Sequence, residues 1–307
     1  MRASGSADTM PSRGWGQLFS PATVARAAIV AVLVALVYWG TIRSAVIARW
    51  MNDSNWSHGW LIPFFSLYFL WLHRDDLLAV RPKANYLGAV ILVLSLALHF
   101  VSAWWFRMTY PQAVSIVGVI FGTTLLLGGS GLMRVAWFPI LFLLFAIPLP
   151  ERLYVELTFP LRRLASLAAA EMMPLFAPGL YTEAQAVVID YVLPGGTQGQ
   201  LNVEEACSGM RLMMAFVTLG VAMAYLGDRP TWQRLVMVAS CVPIAIMCNA
   251  IRVTTTGLFF VYGHEELAKG TPHQLLGFAM LGIALGAFSL LGYVLSNLFI
   301  EEADTSS

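Results

Sequence analysis

Eight apolar runs, most of them near the length that crosses a bilayer, constrain this chain more than any other feature. They cover residues 22–42, 60–72, 86–106, 110–127, 132–149, 207–226, 232–250 and 274–300. A hydrocarbon core about 30 Å thick asks for about 20 apolar residues in a helix that rises about 1.5 Å per residue. In lipid only helices and closed barrels satisfy their own backbone polar groups, and runs this long select helices. The second run is short and the eighth is long, so tilt or an interfacial extension is expected at both. Hydrophobic residues make up 58% of the chain and charged residues 11%, far from soluble averages of about 45–50% and about 25%. The expected fold class is therefore an all-α polytopic membrane protein of about eight transmembrane helices. A net charge of +1 shows no basic bias, so the bilayer and not nucleic acid is the expected partner.

The first run starts late and further spans follow it, so it is expected to stay uncleaved. Residues 22–300 read as one membrane domain without internal repeats. It is flanked by a disordered cytoplasmic tail at 1–21 and a disordered tail at 301–307. Basic residues split evenly between the two faces. Discounting Arg152, Arg162 and Arg163, which lie in the long segment after the fifth run, tips the balance toward both ends being cytoplasmic. That segment, 151–206, is the expected extracytoplasmic insertion. Its first part, 151–173, sets Leu153, Leu157, Leu161, Leu164 and Leu167 at helical spacing against the three arginines, which suits a helix lying in the interface. Its second part, 186–204, holds Val187-Val188-Ile189, then Pro194-Gly195-Gly196, then Leu201-Asn202-Val203. This reads as a hairpin or pair of short strands, the alternative being an irregular loop.

This topology places chemistry. Cys207 opens the sixth run at its outer end, in Glu204-Glu205-Ala206-Cys207-Ser208-Gly209-Met210-Arg211, where polar sequence turns apolar. A thiolate is the reactive form of cysteine, and the positive end of a helix start favours it. Arg252 ends the seventh run, and His273 precedes the eighth, on the same expected face. A nucleophile, a proton shuttle and a fixed cation are what acyl transfer through a thioester requires. Arg252 stays protonated at neutral pH and cannot be the base. Glu204, Cys207 and Arg211 are spaced three and four apart, and Asn249, Arg252 and Thr256 form one helical stripe. For Arg252, snorkelling to the headgroups competes evenly with a catalytic role.

Two histidines compete as acid/base. His273 stands four residues before Gly277, whereas His264, in Gly263-His264-Glu265-Glu266, sits in a polar loop that favours solvation. His58 falls on the outer face, His73 reads as interfacial and His99 as a core residue. No metal or other cofactor is expected, since His264, Glu265 and His273 lack the spacing of a metallopeptidase helix. Cys241 and Cys248 share one apolar run and read as structural. Gly118-x-x-x-Gly122 and Gly282-x-x-x-Gly286 read as sites of close helix packing, and Gly128, Gly129 and Gly131 as a turn between spans.

Four segments together resemble the exosortase/archaeosortase family of membrane transpeptidases. They are Glu205-Ala206-Cys207-Ser208-Gly209-Met210-Arg211, Asn249-Ala250-Ile251-Arg252-Val253, His273-Gln274-Leu275-Leu276-Gly277-Phe278 and Ser57-His58-Gly59-Trp60-Leu61-Ile62-Pro63. The third is similar to the bacterial exosortase branch because it holds a histidine where the other branch has an arginine. The resemblance implies an enzyme of the bacterial cytoplasmic (inner) membrane with its site facing outward. Its substrates would be secreted proteins carrying a C-terminal sorting signal: a Pro-Glu-Pro-type motif, a transmembrane helix and a basic cluster. Cys207 would form a thioester and an acceptor would resolve it. His273 would be the general acid/base and Arg252 the oxyanion stabiliser. Arg211, Glu204, Glu205, Asn249, His58 and His264 would support them, with Arg211 holding a substrate acidic residue or the thiolate.

Two other classes compete. A glutamate-dependent intramembrane protease would use Glu204-Glu205 with Arg211, but its usual pattern places three residues before the arginine and here five intervene. A non-enzymatic transporter or lipid-handling scaffold would want ionisable groups near the bilayer midplane, and here they cluster at span ends.

Overall fold

The computed structural model describes residues 21–203, 209–227, 229–268 and 270–297. It falls into two compact units, Met1–Leu149 and Pro150–Ser307.

In the first unit α1 (Pro21–Thr41) begins on a proline, whose missing N–H costs nothing in a first turn. It runs through a π-helical turn, Ile42–Ile47, into α2 (Ala48–Asn52). Asp53 stops that helix with an extended backbone. Its carboxylate accepts from the Asn55 N–H at 3.0 Å, which starts the 3-10 turn Ser54–Trp60. Then come α3 (Leu61–Leu72), α4 (Arg74–Ala79), α5 (Leu87–Val101, prolonged by the π-helical turn Ser102–Phe106) and α6 (Thr109–Phe142), which closes in the 3-10 turn Leu143–Ala146.

The backbones of α5 and α6 touch. A Cβ on Gly88 would collide with the Leu126 amide, and one on Gly122 would stand 2.7 Å from the Leu92 nitrogen. Dispersion between close backbones holds helices together where lipid removes the hydrophobic driving force. Gly129 interrupts α6 with φ 72° and ψ −171°, a conformation closed to residues with a side chain. The segment before α5 bonds around the break: Lys83 donates to the Gly128 carbonyl at 3.4 Å and Asn85 to that of Leu126 at 3.3 Å. Between α1 and α6, Tyr38 and Ser115 share a hydrogen bond at 3.1 Å and Thr41 donates to Gln112 at 3.0 Å. His99 is buried with its ring 4.3 Å from that of Tyr38, in the core as expected.

In the second unit α7 (Glu151–Phe176) leads to a three-stranded antiparallel sheet of β1 (Tyr181–Gln185), β2 (Val188–Val192) and β3 (Gln198–Asn202), in the order β1-β2-β3. After it come α8 (Gly209–Leu226), α9 (Thr231–Val261), the short α10 (Glu265–Ala268) and α11 (Gly270–Asn297). The expected hairpin is β2 and β3. β1 was not expected, because Tyr-Thr-Glu-Ala-Gln has no apolar run to announce it. It is held by pairing with β2 and by a 2.6 Å bond from the Thr182 hydroxyl to the Ala170 carbonyl of α7.

The helix α7 revises the expected placement of one arginine. Tyr154, Thr158, Arg162, Ala165, Ser166, Ala169, Ala170 and Met173 are buried, while Leu153, Leu157, Leu164 and Leu167 are exposed. Arg152 and Arg163 remain outward, but Arg162 belongs to the inner face. Small side chains let α7 approach its neighbour, and the leucines are left for lipid.

Among the described residues five helices are long and apolar enough to cross a membrane: Ala28–Asn52, Leu87–Phe106, Thr109–Ala146, Thr231–Val261 and Leu275–Asn297. With the shorter apolar helix Met214–Leu226, they make this a mostly helical, multi-pass membrane protein. Other expected runs take different forms. Residues 60–72 give the end of a 3-10 turn and a helix of 12 residues, and runs 110–127 and 132–149 share one helix broken at Gly129.

Candidate functional site

Three helices of the second unit pack on one another and share two layers of side chains. In the first, Ala224 of α8, Met237 of α9 and Leu295 of α11 meet. In the second, Phe216 of α8 packs with Cys241, Ile244, Ala245 and Cys248 of α9 and with Met280, Ala284 and Phe288 of α11. Gly220 marks the level, because a Cβ there would run into the Cys241 sulfur and the Phe288 ring. The two layers fix the directions of travel, with α8 and α11 both antiparallel to α9. Counting outward at about 1.5 Å per residue places the start of α8 level with Arg252. His273, in the first turn of α11, lies about one helical turn beyond.

Arg252 is 1% exposed. A guanidinium so enclosed is not snorkelling to headgroups. Asn249, Thr254 and Thr256 are buried near it on α9. The Asn249 amide nitrogen and both threonine hydroxyls have no hydrogen-bond partner among the described residues. Native interiors leave few such groups, and each marks a place where something else is met. The pair Cys241 and Cys248 is buried in the packing layer, free and structural.

A second polar face lies alongside, and sequence reasoning passed it over. Leu161 of α7 packs against the layer of Ile244, Ala245 and Cys248, and farther along Ala169, Ala170 and Met173 pack with Val253. The helices α7 and α9 therefore run parallel, so Ser166 comes level with the stretch from Asn249 to Arg252 and Arg162 lies about one turn before it. Arg162 is 2% exposed, and Ser166, fully buried, leaves its hydroxyl without a hydrogen-bond partner among the described residues. The signal was available: Tyr154, Thr158, Arg162 and Ser166 recur every four residues, opposite the leucines. The leucine stripe is the more conspicuous pattern and masks the polar one opposite.

The other expected site residues are placed unevenly. Cys207, Glu204 and Glu205 lie outside the described residues, between β3 and α8. The backbone of Arg211 is in the first turn of α8 and that of His273 in the first turn of α11, and the description of both stops there. His264 is exposed between α9 and α10, as its polar surroundings suggested. His58 belongs to the first unit, in the 3-10 turn Ser54–Trp60, its ring 5.8 Å from that of the buried Trp56.

A buried arginine level with a helix start, inside a bundle of apolar helices, defines a membrane protein with a polar site at one end of its helices. Residues 50–290 match the family model of the transmembrane exosortases. The match covers most of the chain, and the protein belongs to that family of membrane cysteine transpeptidases. No curated protein and no solved structure matches it.

Proposed function

We propose that this exosortase is a cysteine transpeptidase that removes the C-terminal sorting signal of secreted proteins and passes them to an acceptor nucleophile. The observation that carries the reading is the fully buried Arg252, level with the start of α8 just after Cys207 and within about one turn of His273.

The thiolate of Cys207 attacks the carbonyl carbon of the scissile amide, forming the C–S bond as the oxygen takes the negative charge. The guanidinium of Arg252 stabilises that oxyanion in a site from which water is excluded. The C–N bond then breaks, and the imidazolium of His273, holding the proton taken from the thiol, passes it to the leaving amine. The departing fragment carries the transmembrane helix and basic cluster. The acceptor attacks the thioester and restores the thiol. Arg211, Glu204, Glu205 and Asn249 support this arrangement, Arg211 by holding an acidic group of the substrate. His264 is the alternative proton shuttle, and His58 is a supporting residue. The reading takes the chain to have both ends in the cytoplasm and the Pro-Glu-Pro-type motif of the substrate to lie outside, so that the reaction occurs on the outer face of the bacterial inner membrane.

The test is C-terminal processing of a secreted reporter in cells carrying wild type, Cys207→Ala, Arg252→Ala or His273→Ala. Loss of processing in Cys207→Ala and a hydroxylamine-releasable acyl-enzyme in wild type are expected. Processing by Cys207→Ala would reject the thioester and favour a glutamate-dependent protease.

A further inference from the structure

The strand β3 is an edge of the sheet, and its flanking bonds reveal which backbone groups it offers. The Leu193 N–H donates to the Thr197 carbonyl at 2.8 Å and the Val203 N–H to the Val187 carbonyl at 2.9 Å. Both bonds belong to the same series of opposed residues as Tyr191 with Gly199 and Ile189 with Leu201. In an antiparallel pair, hydrogen-bonded and non-bonded positions alternate. Gly199 and Leu201 therefore turn their N–H and C=O toward β2, and Gln198 and Gln200 turn theirs to the outer edge. Among the described residues, neither glutamine makes a backbone hydrogen bond beyond the sheet, and both are exposed.

This edge differs from the opposite one. β1 lies along α7, anchored by Thr182, whereas no described helix runs against β3 in that way. Proteins usually blunt a free edge with proline, lysine or another charge. Gln198-Gly199-Gln200-Leu201-Asn202 carries none. A polar cleft of about 440 Å³ lies over one face of the sheet and reaches this edge, lined by Tyr181 and Glu183 of β1, Asp190 of β2 and Gln198 and Gln200 of β3 among others. The direction of the strand matters most. β3 ends at Asn202 and the chain reaches Cys207 five residues later, a span of at most about 17 Å when extended.

We propose that the outer edge of β3 is the docking site of the peptide substrate. An extended segment beside the scissile bond adds to the sheet as a fourth strand and exchanges backbone hydrogen bonds with Gln198 and Gln200. This inference rests on the transpeptidase reading of Cys207 and tells how the peptide is held before it reacts. Strand addition draws affinity from main-chain bonds and leaves selectivity to alternate side chains. In a strand, residues two apart present their amides to the same side. A Pro-Glu-Pro segment can therefore turn the glutamate's N–H and C=O to β3 and both prolines away, where a missing N–H costs nothing.

The experiment compares Gln200→Pro with Gln200→Ala in the full-length enzyme, assayed on a secreted reporter protein. Proline deletes the outward N–H while leaving the β2-facing bonds of Gly199 and Leu201, and alanine keeps that N–H. The expected result is a KM roughly 5- to 10-fold higher for the proline than for the alanine variant, the loss of about one hydrogen bond, with kcat alike in the two. A second measurement serves if the proline variant does not fold. Gln200→Cys in a Cys207→Ala background is oxidised with reporters carrying single cysteines along the motif, and cross-linking at alternate substrate positions is expected. An unchanged KM in a folded Gln200→Pro enzyme, or cross-links without alternation, overturns the docking site. Processing by Cys207→Ala overturns the parent reading instead, and the cross-links still decide whether the strand docks.

Discussion

Gly257 of α9 lies so close to Met173 of α7 that a Cβ on the glycine would stand 2.8 Å from the methionine sulfur. The same Cβ would come within 3.0 Å of Leu201 in β3, so one small residue seats a helix and a strand against α9 at once. Gly257→Ala can be met by a shift of the flexible methionine and should leave most activity. Gly257→Val should displace α7 and cost about 1–3 kcal/mol as overpacking, with a clear fall in reporter processing. Thermal unfolding in detergent alongside processing checks it, and a fully active valine variant would refute the close fit.

Arg252 should be irreplaceable by another cation. Its burial leaves room for a planar fork, and lysine offers only a point charge on a flexible stem. Arg252→Ala should lower kcat about 10²- to 10³-fold as an oxyanion stabiliser is lost. Arg252→Lys should recover only part of that, and Arg252→Met, matched in volume, should fold while remaining as slow as alanine. Single-turnover acylation of the enzyme measures this. Wild-type acylation in the methionine variant would remove the arginine from the chemistry.

The three thiols should separate by access. Cys241 and Cys248 are 2% and 0% exposed within the packing of α8, α9 and α11. A membrane-impermeant maleimide should modify Cys207 alone in intact cells, and substrate should slow the labelling. The double variant Cys241→Ala and Cys248→Ala should keep its processing, at a cost in stability of about 1–3 kcal/mol from the small cavities left behind. Rapid labelling of either buried cysteine would contradict the packing described.

Gly129 should tolerate nothing larger. Its φ of 72° is strained for any residue with a Cβ, and that atom would also strike the Lys83 carbonyl. Gly129→Ala should destabilise the first unit by about 1–3 kcal/mol, the usual cost of a strained backbone position. The drop in detergent melting temperature reports it, and an unchanged melting temperature would mean that α6 can turn without the glycine.

The sequence and the structure part company at identifiable places. The helices were legible because their apolar runs are long, and the β2–β3 hairpin because Pro194-Gly195-Gly196 separates two short β-prone segments. Gly129 read correctly as a turn signal. Its backbone separates two helical stretches, and the bonds of Lys83 and Asn85 that brace the break come from far back in the chain. β1 was invisible because its two strand-prone residues, Tyr181 and Thr182, are followed by Glu183 and Ala184, which strands disfavour, and no apolar alternation marks the segment. The leucine stripe of α7 is exposed, as an apolar face turned to lipid would be, whereas its inner face, rich in alanine, serine and threonine with one arginine, has no apolar periodicity to announce it. Arg252 stood out by spacing, whereas Arg162 was hidden among arginines that do face outward.

Arg252, Val253 and Gly257 lie within six residues of α9, and Val253 and Gly257 are the contact points of α7 and β3. A tilt of that one helix would therefore be felt by the guanidinium, by α7 and by the small sheet together, and none of the three can be retuned alone.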